Sequence, residues 1–331
     1  MTQARYDVVA IGNAIVDILA RADDAFIAAN GMTKGQMQLV FSPEEADALY
    51  AKMGPGQEMS GGSAANTIAG LAALGSTCGF IGQVADDQLG QVFAHDIRAA
   101  GIRYDTDARP GAPTTGRCLI FVSPDGQRTM NTFLGASHYL PAEALDRQLI
   151  ADSAYLYLEG YLWDPEEPRA AMRAAIDVAR AAGRKVAFTL SAEFVIDRHR
   201  AAFHELIDGG LIDLLFANDA ELISLAQTDD LEAAIAALAP KVPLLVVTLG
   251  PEGAMAIAGG ERTTVTAERV DAVVDTTGAG DLFAAGFLHG QVQGRSLGDS
   301  LRLGAICAAE CIGHMGPRPV ADLKTLAGSL A

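Results

Sequence analysis

The sequence predicts an α/β protein with a mostly parallel central sheet, helices on both faces of that sheet, and a separate small β-sheet. Two observations carry this prediction. Short apolar runs alternate with stretches of helical spacing along most of the 331 residues, which is typical of buried parallel strands joined by crossover helices. Between residues 103 and 134 this alternation gives way to Thr, Gly and Pro turns and two β-type runs, which favours a second sheet.

The individual elements follow from these patterns. Strands are predicted at the apolar runs, over residues 6–11, 78–81, 155–158, 185–190, 211–217, 244–248, 254–258 and 263–265. Helices are predicted where apolar residues recur at helical spacing, over residues 43–53, 66–74, 86–100, 168–182, 198–208, 220–226, 230–238, 281–293 and 297–311. A hairpin over 117–122 and 129–134, with its turn at Pro124 and Asp125, belongs to the small sheet.

Charge and composition narrow the function. The formal net charge is −17, and so acidic a surface repels nucleic-acid phosphates and anionic membranes. We therefore expect a small-molecule partner and neither nucleic acid nor a membrane. The four cysteines form no metal-binding pattern and are expected to be reduced core thiols of a cytoplasmic protein. No signal peptide and no apolar stretch long enough to cross a bilayer is found in the sequence.

The segment most informative about chemistry is Asp275-Thr276-Thr277-Gly278-Ala279-Gly280-Asp281, at the start of a predicted helix. The free amides of Gly278, Ala279 and Gly280 can converge on an anion, which the helix dipole also favours. Asp281, ionised at neutral pH, can take the proton of an attacking hydroxyl while these amides hold a phosphoryl group. The alternative interpretation is a glycine-rich turn in which Asp281 is an ordinary helix cap.

A second segment, residues 60–67, opens the small-residue helix. The adjacent Gly61 and Gly62 let the backbone approach a ligand closely, and Asn66 offers both a donor and an acceptor.

Both segments resemble signatures of the ribokinase (PfkB) family: residues 61–75 are similar to the first signature and residues 275–288 to the second. Residues 218–221 are similar to the family's N-x-x-E motif, and residues 248–250 to its strand-end turn beside ATP. This resemblance extends over almost the whole chain. It implies one ribokinase-like kinase domain over residues 1–331, with a β-sheet lid formed by about 13–39 and 103–134.

The resemblance also implies the donor side of the reaction. Asp281 would be the catalytic base and Gly278, Ala279 and Gly280 the anion hole for the γ-phosphate of ATP. The other donor-side residues are Asn218 and Glu221 near Mg²⁺ and the phosphates, with Glu221 acting through water, Thr248 and Gly250 beside the nucleotide, and Asp275 and Thr277 at a monovalent cation such as K⁺.

On the acceptor side, Asn13 to Asp17 resembles the segment that places an aspartate on vicinal hydroxyls of a sugar, and Gly61, Gly62 and Asn66 would complete that pocket. The alternative for Asp17 is a solvent-facing side chain after a strand. Arg128 follows the hairpin turn, where similar kinases bring a lid arginine to the phosphates. The alternative for Arg128 is an exposed turn arginine.

Other classes lack support in the sequence. The first strand is not followed by the G-x-G-x-x-G of a Rossmann dehydrogenase, and a P-loop is absent. A non-catalytic nucleoside-binding protein would not need a carboxylate at Asp281. Ribokinases carry a lysine where this chain has Ser63 and Ala64, and residues 115–118 look closer to adenosine kinases. We therefore expect a nucleoside acceptor, adenosine first, with ribose or fructose as the alternative, in a monomer or homodimer.

Overall fold

The structure is a computed structural model that describes residues 4–328. The strands in this part of the chain are β1 (Tyr6–Ile11), β2 (Ile15–Arg21), β3 (Met37–Leu39), β4 (Gln57–Gly61), β5 (Cys78–Ile81), β6 (Thr115–Val122), β7 (Arg128–Gly135), β8 (Ser153–Glu159), β9 (Lys185–Thr189), β10 (Leu214–Asn218), β11 (Leu244–Thr248), β12 (Ala254–Ala258) and β13 (Glu261–Val265). The α-helices are α1 (Asp24–Ala29), α2 (Pro43–Tyr50), α3 (Ser63–Leu74), α4 (Gln88–Ala99), α5 (Arg147–Ala151), α6 (Glu166–Ala181), α7 (Glu193–Asp208), α8 (Asp219–Ala226), α9 (Leu231–Leu238), α10 (Ala279–Val292), α11 (Leu297–Ile312) and α12 (Leu323–Gly328).

The large sheet has eight strands in the order β13-β12-β11-β10-β9-β8-β1-β5. Its neighbouring strands are parallel except at β11–β12 and β12–β13. Successive side chains of β1 point to opposite faces: Val9 and Ile11 join the core that includes α6 and α7, and Val8 and Ala10 join the core that includes α3 and α10. Both faces are therefore buried, and the predicted mostly parallel sheet with helices on both sides is confirmed.

The second sheet has five strands in the order β3-β7-β6-β2-β4. It contains the predicted hairpin, in which β6 and β7 pair antiparallel. One face forms a small apolar cluster that includes Ile15 and Ile120, while the other face, with Val16 and Phe121, packs into the core shared with α10. The predicted small sheet is thus present, and one of its apolar faces is turned toward the carboxyl ends of the strands of the large sheet.

The composition of the second sheet differs from the predicted lid at two places. The sequence does not predict β4, because this polar edge strand lacks apolar alternation and ends in Gly61. In contrast, residues 103–113 lie outside the second sheet. Arg103 instead forms a bridge with Gly79, where its backbone bonds to the edge strand β5, and Arg109 forms a bridge with Ala85, beyond the end of β5.

The four cysteines are free and buried, as predicted for core thiols. Within residues 4–328, none of the helices has both the length and the apolar character needed to span a membrane. The cytoplasmic location and the choice between monomer and homodimer remain predictions.

Asp87 joins the main body to the second sheet. Its carboxylate caps α4 by accepting the amide of Gly90 at 2.8 Å, and it also accepts the amide and the hydroxyl of Thr115 at 2.8 and 2.6 Å. Thr115 is the first residue of β6 and is fully buried. One side chain therefore stabilises both a helix start and the point where the chain enters the second sheet.

We predict that Asp87→Ala lowers the free energy of unfolding by about 2–4 kcal/mol, because it removes a helix cap and leaves buried donors of Thr115 unpaired. The matched control is Asp230→Ala, which removes only the exposed cap of α9 and should cost about 1 kcal/mol. Urea titration measures both values. Equal losses in the two variants would contradict the linking role of Asp87.

Candidate active site

A cleft of about 430 Å³ lies between the carboxyl ends of the large-sheet strands and the apolar face of the second sheet. Most of the predicted site residues line it, namely Asn13, Asp17, Gly62, Asn66, Arg128, Asn218, Glu221, Thr248, Thr277, Gly278, Gly280 and Asp281. Of the remaining four, Gly61 lies against Asp17 and Asp275 lies against Arg128. Ala279 lies between the two glycines that line the cleft, and Gly250 lies in an exposed turn after β11. The fold thus gathers both glycine-containing segments at one cleft, while the role of each residue stays a prediction.

Asp281 stands in the first turn of α10 at the base of the cleft. Its Oδ1 accepts the hydroxyl of Ser63 at 2.6 Å, and its Oδ2 accepts the side-chain amide of Asn66 at 3.0 Å. Burial raises the pKa of Asp281 to about 6, and these two donors together with the charge of Arg318 oppose the rise. Such a carboxylate is ionised at neutral pH and is basic enough to accept a proton from a hydroxyl.

The chain enters α10 through Gly278, whose φ of 74° lies in the left-handed region and where a Cβ would press against Pro317. The amides of the first helical turn have no acceptor within the helix, and Gly278 and Gly280 line the cleft. The amide of Ala279, however, donates to the carbonyl of Thr276 at 3.3 Å. The anion hole stays a prediction, and within residues 4–328 the amides of Gly278 and Gly280 are the ones left free for it, at the positive end of the helix dipole.

Asp17 faces the cleft from β2 on the opposite wall and is only 5% exposed, so it is not a solvent-facing aspartate. It fits because Gly61 on the neighbouring β4 has no side chain, and a Cβ there would overlap the Asp17 carboxyl group. No residue between 4 and 328 donates a hydrogen bond to this carboxylate. Burial raises its pKa to about 7 even though the charges of Arg318 and Arg128 lower it. A buried acceptor without a donor is available for the hydroxyl groups of a ligand.

Glu159 at the end of β8 is a site residue that the sequence analysis missed. Its Oε1 accepts the backbone and side-chain amides of Asn13 at 2.7 and 2.6 Å, and its Oε2 accepts the amide of Ala64 at 2.6 Å. Burial raises the pKa of Glu159 to about 7, and these donors oppose the rise. Glu159 therefore holds the end of β1 and the start of α3 together. The sequence feature that could have revealed Glu159 is a carboxylate at the end of a buried parallel strand, because open α/β sheets bind ligands at that edge.

Arg318 is a second residue that the sequence analysis missed. Its guanidinium donates to the carbonyls of Ser60 and Ala65 at 2.8 and 2.6 Å, which ties the C-terminal segment to the end of β4 and the start of α3. Its charge lowers the pKa of both Asp17 and Asp281. Arg318 thus supplies a positive charge behind the two carboxylates that face each other across the cleft. No local motif around this residue predicts that placement.

Asn218 and Glu221 form a reciprocal capping box at the start of α8. Asn218 Oδ1 accepts the amide of Glu221 at 2.7 Å, and the Glu221 carboxylate accepts the backbone and side-chain amides of Asn218 at 3.0 and 2.9 Å. Thr248 lies beside Asn218 on the neighbouring strand. Burial raises the pKa of Glu221 to about 7. The predicted motif is therefore a helix start whose carboxylate borders the cleft.

The residues present fit a magnesium ion that is held mainly by water and phosphate. Both oxygens of Glu221 already accept hydrogen bonds, and residues 4–328 contain no group of three His, Cys, Asp or Glu side chains that could enclose an ion. Mg²⁺ keeps several waters and binds few protein carboxylates in nucleotide sites. Glu221 would therefore orient such waters without direct coordination.

Arg128 is buried at the start of β7, so it is not an exposed turn arginine. Its Nε contacts Asp275 Oδ1 at 2.6 Å, and its Nη1 donates to Asp275 Oδ2 at 3.1 Å. The side chain lines the cleft, but its guanidinium is directed at Asp275. This ion pair connects the second sheet to the loop before α10.

These features together define a small-molecule kinase: an open α/β sheet, a second sheet over its ligand-binding edge, and a carboxylate beside the free amides of a helix start. Residues 10–323 match the pfkB family of carbohydrate kinases, and the chain belongs to that family. It is therefore a phosphotransferase with an alcohol group as acceptor.

Individual relatives cover most of the chain. An adenosine kinase from Sinorhizobium meliloti is 48% identical with a TM-score of 0.94, covering 99% of this chain and 100% of that one. A probable sugar kinase from Rhizobium etli is 46% identical with a TM-score of 0.95, at the same coverage of 99% and 100%. A fructokinase from Klebsiella pneumoniae is 30% identical over 234 residues, which are 70% of this chain and 76% of the fructokinase.

The Ser63 hydroxyl should set the pH at which Asp281 becomes active. The base works only when ionised, so kcat/KM should fall as the pH drops through about 6, the pKa of Asp281. Ser63→Ala removes a donor that lowers this pKa, and the acid limb of the pH–rate profile should move to higher pH. The control is Ser137→Ala, which removes a buried hydroxyl that donates to Asn13 instead. If the acid limb of the pH–rate profile lies at the same pH in wild type and in Ser63→Ala, the Ser63 hydroxyl does not set the pKa of Asp281.

Asp17 should destabilise the ligand-free fold at alkaline pH. Its native pKa of about 7 lies above the ordinary value of 3.8, so the folded state binds more protons between these pH values and stability falls as the pH rises through them. Asp17→Asn should therefore raise the free energy of unfolding at pH 8 by about 2–4 kcal/mol. Urea titrations should show that this gain disappears near pH 4. A variant less stable than wild type at pH 8 would show that the neighbouring arginines outweigh burial.

Proposed function

We propose that this enzyme transfers the γ-phosphate of ATP, bound with Mg²⁺, to the hydroxymethyl group of a nucleoside, with adenosine as the favoured acceptor. The observation that carries the proposal is the placement of Asp281. Its carboxylate lies beside the Gly278 and Gly280 amides and faces Asp17 across one cleft. A general base, a phosphoryl-binding turn and an acceptor-binding carboxylate are the parts that this transfer needs.

In the proposed reaction, Asp281 accepts the proton of the acceptor hydroxyl as the hydroxyl oxygen attacks the γ-phosphorus. The bond between the γ-phosphorus and the β–γ bridging oxygen breaks, and ADP leaves. The amides of Gly278 and Gly280 hold the phosphoryl oxygens, where negative charge is concentrated during transfer. On the donor side, Asn218, Thr248 and the exposed turn at Gly250 border the nucleotide. Bound Mg²⁺ would neutralise phosphate charge.

The acceptor pocket combines one polar end with one apolar wall. Asp17 and Asn66 can receive the hydroxyl groups of a pentose. The wall that carries Asp17 belongs to the second sheet and is otherwise mostly apolar, with Ile15, Met37, Leu39, Ile120, Met130 and Leu134 along the cleft. A purine ring can cover this wall, whereas a free sugar would leave hydroxyl groups against it without partners. The wall therefore favours a nucleoside.

The relatives support both acceptor classes. The similarity to the adenosine kinase of Sinorhizobium meliloti favours a nucleoside, whereas the fructokinase and the probable sugar kinase keep a free sugar as the second candidate. Asp17 can bind hydroxyl groups of either acceptor, so the apolar wall is what separates the two.

An acceptor panel tests the proposal. Wild type and Asp281→Asn are assayed with ATP and Mg²⁺ against adenosine, inosine, ribose and fructose, and products are identified by ³¹P NMR. We expect adenosine to have the highest kcat/KM, and Asp281→Asn to reduce kcat by about 10²-fold or more while retaining nucleotide binding. Preference for fructose or ribose would assign a sugar kinase. Turnover near wild type in Asp281→Asn would remove this carboxylate from the mechanism.

A further inference from the structure

The loop before α10 is held by an ion pair from the second sheet. Arg128 and Asp275 are 8% and 1% exposed, and the guanidinium meets the carboxylate through two nitrogens, at 2.6 and 3.1 Å. The contact at 3.1 Å is a charge-assisted hydrogen bond, and the contact at 2.6 Å brings the two charges together. A buried carboxylate needs such a partner, because an uncompensated charge away from water is strongly unfavourable. Asp275 therefore depends on Arg128 for its counter-charge.

The other acceptor positions of Asp275 are also occupied. Its Oδ1 accepts the amide of Thr277 at 2.9 Å, and its Oδ2 accepts the amide of Gly316 at 2.8 Å. Oδ1 thus accepts one backbone amide and lies against the guanidinium Nε, and Oδ2 accepts one backbone amide and the guanidinium Nη1. Both oxygens are surrounded by donors and positive charge while Arg128 is in place, which leaves no open side for a metal ion.

Thr277 adds little to a cation site. Its carbonyl accepts the thiol of Cys311 at 3.1 Å, which occupies one of the two lone pairs of that oxygen. Its hydroxyl is buried without a partner in the described part of the chain, but one neutral hydroxyl does not compensate the loss of the carboxylate. The residues that the family resemblance assigns to a monovalent cation therefore do not fit one in this structure.

We propose that the guanidinium of Arg128 takes the place of this monovalent cation, so that the enzyme works without K⁺ or Na⁺. Arg128 is then a positioning residue. It neutralises Asp275, Asp275 fixes the amides of Thr277 and Gly316, and the turn at Gly278 is thereby held at the start of α10. This role differs from the predicted contact between Arg128 and the phosphates, because the guanidinium is already bound by Asp275. The turnover measurements that test this proposal rest on the proposed kinase function.

The first test compares cations at constant ionic strength. Turnover is measured with ATP and Mg²⁺ in potassium, sodium or choline chloride. Wild type should have the same kcat in all three salts. Arg128→Met should lose about 10²-fold in kcat, as expected when a fixed charge beside the reaction is lost, and should recover partly in potassium but not in choline. Arg128→Lys keeps the charge and should retain more activity than Arg128→Met, without a potassium response.

A matched control separates this effect from the loss of any buried arginine. Arg117 lies on the adjacent β6, is also buried, and pairs with Asp47 away from Asp275. Arg117→Met should respond equally to potassium and choline. A potassium response in Arg117→Met as large as that in Arg128→Met would overturn the assignment.

The second readout does not require activity. Thermal unfolding is followed in potassium or choline chloride without substrates, because an ion that binds only the folded state raises Tm with its concentration. Arg128→Met should be stabilised by potassium and wild type should not. Potassium-dependent turnover or stabilisation of wild type would overturn the proposal, as would a folded Arg128→Met that potassium neither stabilises nor activates. If no acceptor is phosphorylated by wild type, the proposed function fails, while the Tm comparison still decides the role of Arg128.

Discussion

The burial of several carboxylates around one cleft is the constraint on which the rest of the site depends. Asp17, Glu159 and Asp281 each have a pKa raised by burial, to about 7, 7 and 6. Charged groups in such a place are expensive unless donors and opposite charges surround them. The fold provides donors to Glu159 from Asn13 and Ala64 and to Asp281 from Ser63 and Asn66, and the charge of Arg318 acts on Asp17 and Asp281. These groups limit the rise in pKa that burial causes.

This balance of charge links stability to function. Glu159 receives three hydrogen bonds and holds two chain segments, whereas Asp17 receives none from residues 4–328 and keeps its acceptor capacity for a ligand. The unpaired carboxylate destabilises the empty protein, and hydroxyl groups of an acceptor would relieve that cost on binding. Asp281 lies between these extremes, with one donor on each oxygen, so that it remains both ionised and basic.

The sequence predicts the parts of this arrangement that are local. The turn at Gly278, the helix that carries Asp281 and the core strands follow from glycine placement and apolar periodicity. The missed features depend on contacts that are distant in sequence. Glu159 reaches the end of β1 only because β8 is the neighbour of β1 in the sheet, and Arg318 reaches Ser60 at the end of β4 across 258 residues. The pairing of Arg128 with Asp275 likewise spans 147 residues, and no local motif around either residue indicates it.

The central claim is that the cleft holds an acceptor hydroxyl between Asp281 and the phosphoryl donor. A crystal structure with adenosine and a non-hydrolysable ATP analogue tests this most directly. We predict the 5′-hydroxyl oxygen within about 2.6–3.2 Å of the Asp281 carboxylate, the ribose hydroxyls on Asp17, and the purine against the apolar wall of the second sheet. An acceptor whose hydroxyl lies beyond hydrogen-bond reach of Asp281 in the complete complex, or whose ribose does not contact Asp17, would contradict the account.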